Sequence, residues 1–414
     1  MKNEKNTIKD NLLEGDVLIV GGGIVGLTLA LALAKSSLLR IIVLEASEAN
    51  VRKQAGRVSA ITLASKQIFE NLGVWSLIHN HASPFTRIAV WDDEDHALTF
   101  DGEELAAAGL GYIVANDVIQ AALQQRLLEE STVNLHHDIA LTDVVTYADR
   151  ITLKTTTQTF QAALAVAAEG AKSWLREKAH IHFAKEDYHQ AAIVATVTLS
   201  SNHQQIAKQH FLPTGPLAFL PLQNPHQVSI VWTLPSKEAE KKLALSSEDF
   251  CEQLNQVAKK HLGCVQAVEE RALFPLAQQY AASYIAERIA LVGDAVHVVH
   301  PLAGQGVNIG LLDAASLAQT ITEAVRDGRD FASRAVLRRY ERWRKADNVE
   351  WLRGIDIIKA IFATRSRTLR YARSFGLTIL KQLPFLKNSL TRYAIGKRAN
   401  LPDLACCREK GALY

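Results

Sequence analysis

Cysteine is scarce in this chain of 414 residues, with only Cys251, Cys264, Cys406 and Cys407. None stands in CxxC or CxxH spacing and two are adjacent, so neither a disulfide framework nor a zinc site is expected. No run of 18 apolar residues occurs; the best stretches, 17–34 and 286–299, are broken by glycine or charge. Residues Met1 to Asp10 are polar and mixed in charge and lack the apolar core of a signal peptide. A cytoplasmic protein in a reducing compartment is the expectation. Internal repeats and low-complexity tracts are absent, and no recognition motif points to nucleic acid.

What is present reads as globular. Hydrophobic residues make up 48% and charged residues 21%, in a chain long enough for two domains or one large domain with an insertion. The net charge of +3 hides an asymmetry: Arg326 to Arg398 holds 19 Lys/Arg against 6 Asp/Glu, while the remainder is acidic on balance. Apolar runs at 355–362 and 375–380 lie in the same basic third. Two readings stay open, the solvated faces of ordinary helices or a surface for anionic membrane or an acidic partner.

The densest signal is Val17-Leu-Ile-Val-Gly21-Gly22-Gly23-Ile24-Val25-Gly26, followed by Glu45 at the end of Ile41-Ile-Val-Leu44. This is a strand, a glycine turn, a helix and a second strand ending in a carboxylate. Gly21 permits the tight turn, Gly23 a close approach to a pyrophosphate, and Gly26 tight helix–sheet packing. The helix N-terminus offers bare N–H groups to phosphate. Glu45, 19 residues after Gly26, can accept ribose hydroxyls and disfavours a 2′-phosphate, which points to FAD or NAD.

Downstream, periodicity predicts helices over 64–72 and 117–130, strands over 142–147 and 150–155, and a buried strand over 163–168. The stretch 85–100 alternates like strands. From Tyr188 to Phe274 the texture turns antiparallel, with strands over 191–199 and 228–234 and prolines in the loops. Buried-strand texture returns at Ile289-Ala-Leu-Val292, and a long helix starts near Val307. After Ala335 the chain is mostly helical.

A further motif is Gly293-Asp294-Ala295-Val-His297, then His300-Pro301-Leu-Ala-Gly304-Gln-Gly306-Val307-Asn308-Ile-Gly310. Asp294 follows a buried strand, where a carboxylate can hold a cofactor hydroxyl. The glycine-rich loop before a helix suits a flat ring that gains negative charge on reduction.

With these motifs in order, the chain resembles the FAD-dependent aromatic hydroxylases of the para-hydroxybenzoate hydroxylase type, and within them the ubiquinone-biosynthesis hydroxylases. The resemblance spans 15 to about 400. It implies that Gly21, Gly23, Ile24, Val25, Gly26 and Glu45 bind the ADP half of FAD. Glu169 and Gly170, in Ala168-Glu-Gly-Ala-Lys-Ser-Trp-Leu-Arg176, match the family's Asp-Gly motif at the pyrophosphate, with glutamate in place of the usual aspartate. Asp294 matches the ribityl-binding acid, and Pro301, Gly304, Gly306, Val307 and Asn308 match the loop lining the flavin ring. Arg57, Ser59 and Asn116 match stretches near the flavin. His297, His300 and Pro301 are catalytic candidates by position, and Tyr188, Trp91 and Phe219 are candidate pocket walls or core.

The implied fold is α/β: a Rossmann-like FAD-binding domain, βαβ with a three-layer sheet (15–84, 115–182 and 277–335). It is interrupted by a mainly antiparallel β-sheet substrate-binding domain (85–114 and 183–276) and followed by a C-terminal helical region (336–414). The implied reaction is ring hydroxylation of a polyprenylated phenol in ubiquinone biosynthesis, with FAD as cofactor, NADH or NADPH as co-substrate and O2. The basic third would then dock peripherally on the inner face of the plasma membrane or in a quinone-biosynthesis complex. Two alternatives stay open: an epoxidase or other flavoprotein oxidoreductase of the same fold, and a low-turnover FAD-binding component of a biosynthetic complex. The Trp-x-Trp-x-Ile-Pro segment of halogenases is missing.

Overall fold

The structure, a computed structural model, describes residues 11–48, 56–92, 98–105, 109–258, 263–298, 306–363, 396 and 400–407. Short apolar runs build its centre. Val17–Val20, Ile41–Leu44, Leu164–Ala167 and Ile289–Leu291 are buried at every position, as strands covered on both faces must be. They pair in parallel in a six-stranded sheet whose order is Ile285–Ala286, Ile289–Leu291, Leu164–Ala167, Val17–Val20, Ile41–Leu44, Val133–His136. Only the edge strand Ile285–Ala286 runs antiparallel. The strands from 17–20 and 289–291 thus flank the one from 164–167, and segments some 270 residues apart in sequence become neighbours.

Two helices lie against this sheet and against each other. The helix Ile24–Ser36 is buried continuously from Gly26 to Leu33, consistent with an alanine- and leucine-rich segment apolar all round. It packs on the inner helix Gly306–Arg326, and the outer helix Arg334–Ala363 packs on that in turn. Each fully buried leucine or isoleucine here contributes roughly 1.5–3 kcal/mol.

A second, nine-stranded sheet is mainly antiparallel. Its longest strand, Phe183–Leu199, turns Ala191, Ile193, Ala195, Val197 and Leu199 to one face, the period of two expected of a strand. That face is covered by the helices Ser236–Leu243 and Ser247–Ala258. Trp91 and Phe219 belong to this covered core, so of the three aromatic candidates these two pack away from the other face. That other face meets a three-stranded sheet (Val58–Thr62, Gly111–Ala115, Ser83–Phe85) through Ala60, Phe85, Ile113, Ala207 and Leu220. A four-stranded sheet, Asn11–Glu14 with Gln158–Ala162, Ile151–Lys154 and Asp143–Thr146, completes the described strands.

The fold is therefore α/β, a parallel nucleotide-type sheet with a mainly antiparallel sheet beside it and C-terminal helix. Most elements fall close to their expected positions. The helix expected at 64–72 spans Leu63–Asn71, that at 117–130 spans Asn116–Leu127, and the long helix begins at Gly306. The strand expected at 191–199 starts earlier, at Phe183. Its first half hides from periodicity because a register shift falls between Asp187 and Gln190, with His189 at φ 52°, and a bulge reverses the alternation.

Candidate active site

The fingerprint turn is held by contacts that leave no room for side chains. Gly21 has φ 112°, and a Cβ there would lie 2.5 Å from the Ala168 carbonyl oxygen. A Cβ on Gly26 would lie 2.0 Å from the Gly21 oxygen. Gly23 differs: it caps the helix Ile24–Ser36 without a side-chain bond, and a Cβ there would meet nothing within 4 Å. Gly170, at the end of the neighbouring strand, also faces open space, with φ 84°. Open space at an uncapped helix start can take a diphosphate. Glu45 is buried, and its carboxylate is aimed by three donors: Gly22 N at 2.7 Å on Oε2, and Ser47 N and Oγ at 2.9 and 2.7 Å on Oε1.

The late glycine segment meets the early one across Val25. Gly293 is in the left-handed region at φ 62°, and a Cβ on Gly310 would come within 2.7 Å of Val25 Cγ2. Ile24 and Val25 therefore open the first helix directly against the turn carrying Asp294. Asp294 is exposed between buried Gly293 and Ala295. The surrounding protein pushes its carboxyl above the usual range, opposed by His297 and Arg57, and water reaching the exposed oxygens also opposes that rise.

The strand Val58–Thr62 is fastened at both ends. Ser59 Oγ donates to Asn116 Oδ1 at 2.7 Å, and Asn116 N donates to the Arg57 carbonyl at 2.9 Å. Asn308, buried near the start of the inner helix, accepts Thr62 N at 3.0 Å and donates to the Ala60 carbonyl at 2.8 Å. The structure thus gathers Arg57, Ser59, Asn116 and Asn308 on one strand and its two anchors. The Arg57 guanidinium lies 5.2 Å from the centre of the Phe274 ring, which belongs to the nine-stranded sheet. Gly306 and Val307 open the inner helix. His300, Pro301 and Gly304 lie outside the described residues.

Two expected site residues are bonded to other side chains or backbone. Glu169 accepts Ser173 Oγ and, at 3.3 Å, Leu175 N, so it braces the short helix Trp174–Lys178; burial pushes its carboxyl up. His297 is 2% exposed and its Nε2 sits 2.6 Å from Asp313 Oδ2. Arg344 Nε donates to the other oxygen of Asp313 at 2.8 Å. Asp313 is fully buried; burial alone would raise its pKa, but His297 and Arg344 together hold it below the usual range. Asp313 and Arg344 escaped sequence reasoning. The available signal was a single acid in the buried run Gly310-Leu-Leu-Asp313-Ala-Ala-Ser-Leu317, because an acid so placed must find a partner. Buried Arg176 ties two loops together, donating to Ala295 O at 3.1 Å and Ala171 O at 2.9 Å across the face of Phe183.

These residues fit FAD: open space for a diphosphate at Gly23 and Gly170, an aimed acid at Glu45, and an exposed acid at Asp294. Among the described residues no cluster of three metal-ligating side chains occurs.

Comparison with known proteins agrees with that chemistry. Residues 14–351 match the family described as FAD binding domain. The chain is 36% identical over 385 residues to ubiquinone hydroxylase UbiL of Rhodospirillum rubrum, covering 92% of this chain and 89% of that one. It is 34% identical over 390 residues to the 3-demethoxyubiquinol 3-hydroxylase of Escherichia coli, covering 92% and 98%. The crystal structure of p-nitrophenol 4-monooxygenase from Pseudomonas putida shares the fold at a TM-score of 0.78 and 20% identity, covering 94% of this chain and all of that one. The chain belongs to this FAD-binding family and, with these relatives, is a flavin-dependent monooxygenase.

Proposed function

We propose that this protein hydroxylates the aromatic ring of a polyprenylated phenol, an intermediate of ubiquinone biosynthesis, with NADH or NADPH and O2 as co-substrates. The observation that carries this reading is the similarity to two ubiquinone-pathway hydroxylases over 92% of the chain. FAD, when bound, would supply the redox chemistry between the nicotinamide, O2 and an electron-rich ring.

The chain's own residues bind, orient and shield. Glu45 and the Gly21–Gly26 turn would hold the adenosine diphosphate end of FAD. Gly170 would border the diphosphate and Asp294 would take the ribityl hydroxyls. Arg57, Ser59 and Asn116 keep the strand Val58–Thr62 beside the flavin, and Asn308 locks that strand to the inner helix. Arg57 on Phe274 joins this strand to the second sheet, which makes the seam between the sheets the place for the substrate ring, away from water. His300 and Pro301 remain catalytic candidates by their position in the sequence alone. His297, bound to Asp313, acts by holding its turn in place. The substrate domain in this reading comprises 85–114 and 183–276.

A prenylated phenol lives in a bilayer, and no helix among the described residues is long and apolar enough to cross one. The basic C-terminal third therefore supplies peripheral docking on anionic lipid or in a quinone-biosynthesis complex. Quinone-lipid profiling of cells lacking this protein is the decisive experiment. A prenylated phenol one hydroxyl short should accumulate; an unchanged quinone profile would discard the assignment. Purified protein should also oxidise NADH or NADPH faster when the phenol is added, which a low-turnover assembly component would not do.

A further inference from the structure

Tyr340, Arg344 and Asn348 recur every four residues along the outer helix Arg334–Ala363 and are all buried, a spacing that places them on one face. That face grips the segment carrying Asp294. Tyr340 Oη donates to the Leu291 carbonyl at 2.7 Å. Arg344 Nη2 donates to Asn348 Oδ1 and Nη1 to Asp347 Oδ2, both at 2.9 Å. Asn348 Nδ2 reaches Asp313 Oδ1 and Tyr284 Oη, each at 3.3 Å. Asp313 thus spends Oδ1 on the outer helix. Its Oδ2 takes Gly293 N at 3.2 Å and lies against His297, the residues one before and three after Asp294.

We propose that Asp313 and Arg344 are positioning residues for the cofactor: through Gly293 N and His297 they pin the turn 293–298 so that Asp294 presents its carboxylate to the ribityl chain. A well-packed apolar pair is often as stable as a buried ion pair, so stability alone does not call for this one. What the pair adds is direction. One oxygen of Asp313 is held by Arg344 Nε and by Asn348, itself held by the same guanidinium, which leaves the other to fix an amide and an imidazole on either side of an exposed acid. The turn it fixes has Gly293 in the left-handed region, where an unheld backbone would sample other geometries. This inference rests on the reading of Asp294 as the ribityl-binding acid.

The test is FAD affinity of the apoprotein, read by quenching of flavin fluorescence, in Asp294→Asn, Asp313→Asn and the double variant. Asp294→Asn should weaken FAD, and Asp313→Asn should weaken it about tenfold, the scale of one charge-assisted hydrogen bond. The double variant should bind no worse than Asp294→Asn, because Asp313 acts only through Asp294. A purely structural role predicts instead a lower apoprotein Tm with wild-type FAD Kd in Asp313→Asn, or a further full loss in the double variant, and either result overturns the proposal. Wild-type affinity in Asp294→Asn would fell the reading of Asp294 itself, and this inference with it. Arg344→Lys, which keeps the charge but loses the fork, carries the test if Asp313→Asn does not fold: about threefold weaker FAD is expected, and an unchanged Kd overturns the proposal.

Discussion

At the scale of single residues, the fingerprint glycines are not interchangeable. Gly26 has the least room, since its Cβ would sit 2.0 Å from a carbonyl oxygen. Gly26→Ala should cost roughly 2–4 kcal/mol in urea unfolding by forcing backbone apart, and should abolish FAD binding. Glu169 gives a prediction of the opposite sign. Burial raises its carboxyl pKa in the fold, so the ionised form is penalised and its stability contribution falls as pH rises above the ordinary glutamate range. Glutamine can keep both contacts, its oxygen accepting Leu175 N and its amide donating to Ser173 Oγ. Glu169→Gln should therefore melt about 1–3 °C higher than wild type at pH 7, with the gain vanishing toward pH 4. A difference that does not vary with pH would show that the carboxyl is not paying that desolvation cost.

Among the elements, the outer helix matters beyond covering the core. Tyr340 is fully buried, and its hydroxyl is the donor to the Leu291 carbonyl, two residues before Gly293. Tyr340→Phe should destabilise the protein by about 1–3 kcal/mol, the cost of leaving a buried acceptor short of its donor. Denaturant midpoints at constant m would record it. The fingerprint helix was legible because its glycines and its apolar run are local signals. The first half of the strand Phe183–Leu199 was not, because the bulge at 187–190 breaks the pattern that betrays a strand. The short edge strand Asn11–Glu14 and its partner Gln158–Ala162 also went unread, since their pairing joins residues nearly 150 apart.

On the scale of the whole molecule, charge is partitioned: the basic residues concentrate after Arg326 while the rest is acidic on balance. Such a third should bring the holoenzyme to vesicles carrying anionic lipid at roughly 20 mM salt and release it at roughly 0.5 M, as screening shortens the reach of exposed charge. Co-sedimentation with anionic against neutral vesicles reads this directly, and equal binding to both would remove the electrostatic account. The proposed flavin site is likewise a property of the whole. Gly21, Glu169 and Gly293 come from three distant segments and meet only because their strands are neighbours in one parallel sheet.

The sequence alone determined the dinucleotide chemistry and the α/β class, because glycine turns, buried apolar runs and an acid at a strand end act over short stretches of chain. Only the tertiary structure decided where His297 and Glu169 spend their polar atoms. Both stand in motifs suggesting direct contact with cofactor or substrate, yet one is bound to Asp313 and the other to Ser173 and Leu175. A buried polar group bonds to whatever donor or acceptor the packed fold brings within about 3 Å. That partner is set by distance in space, on which spacing along the chain is silent.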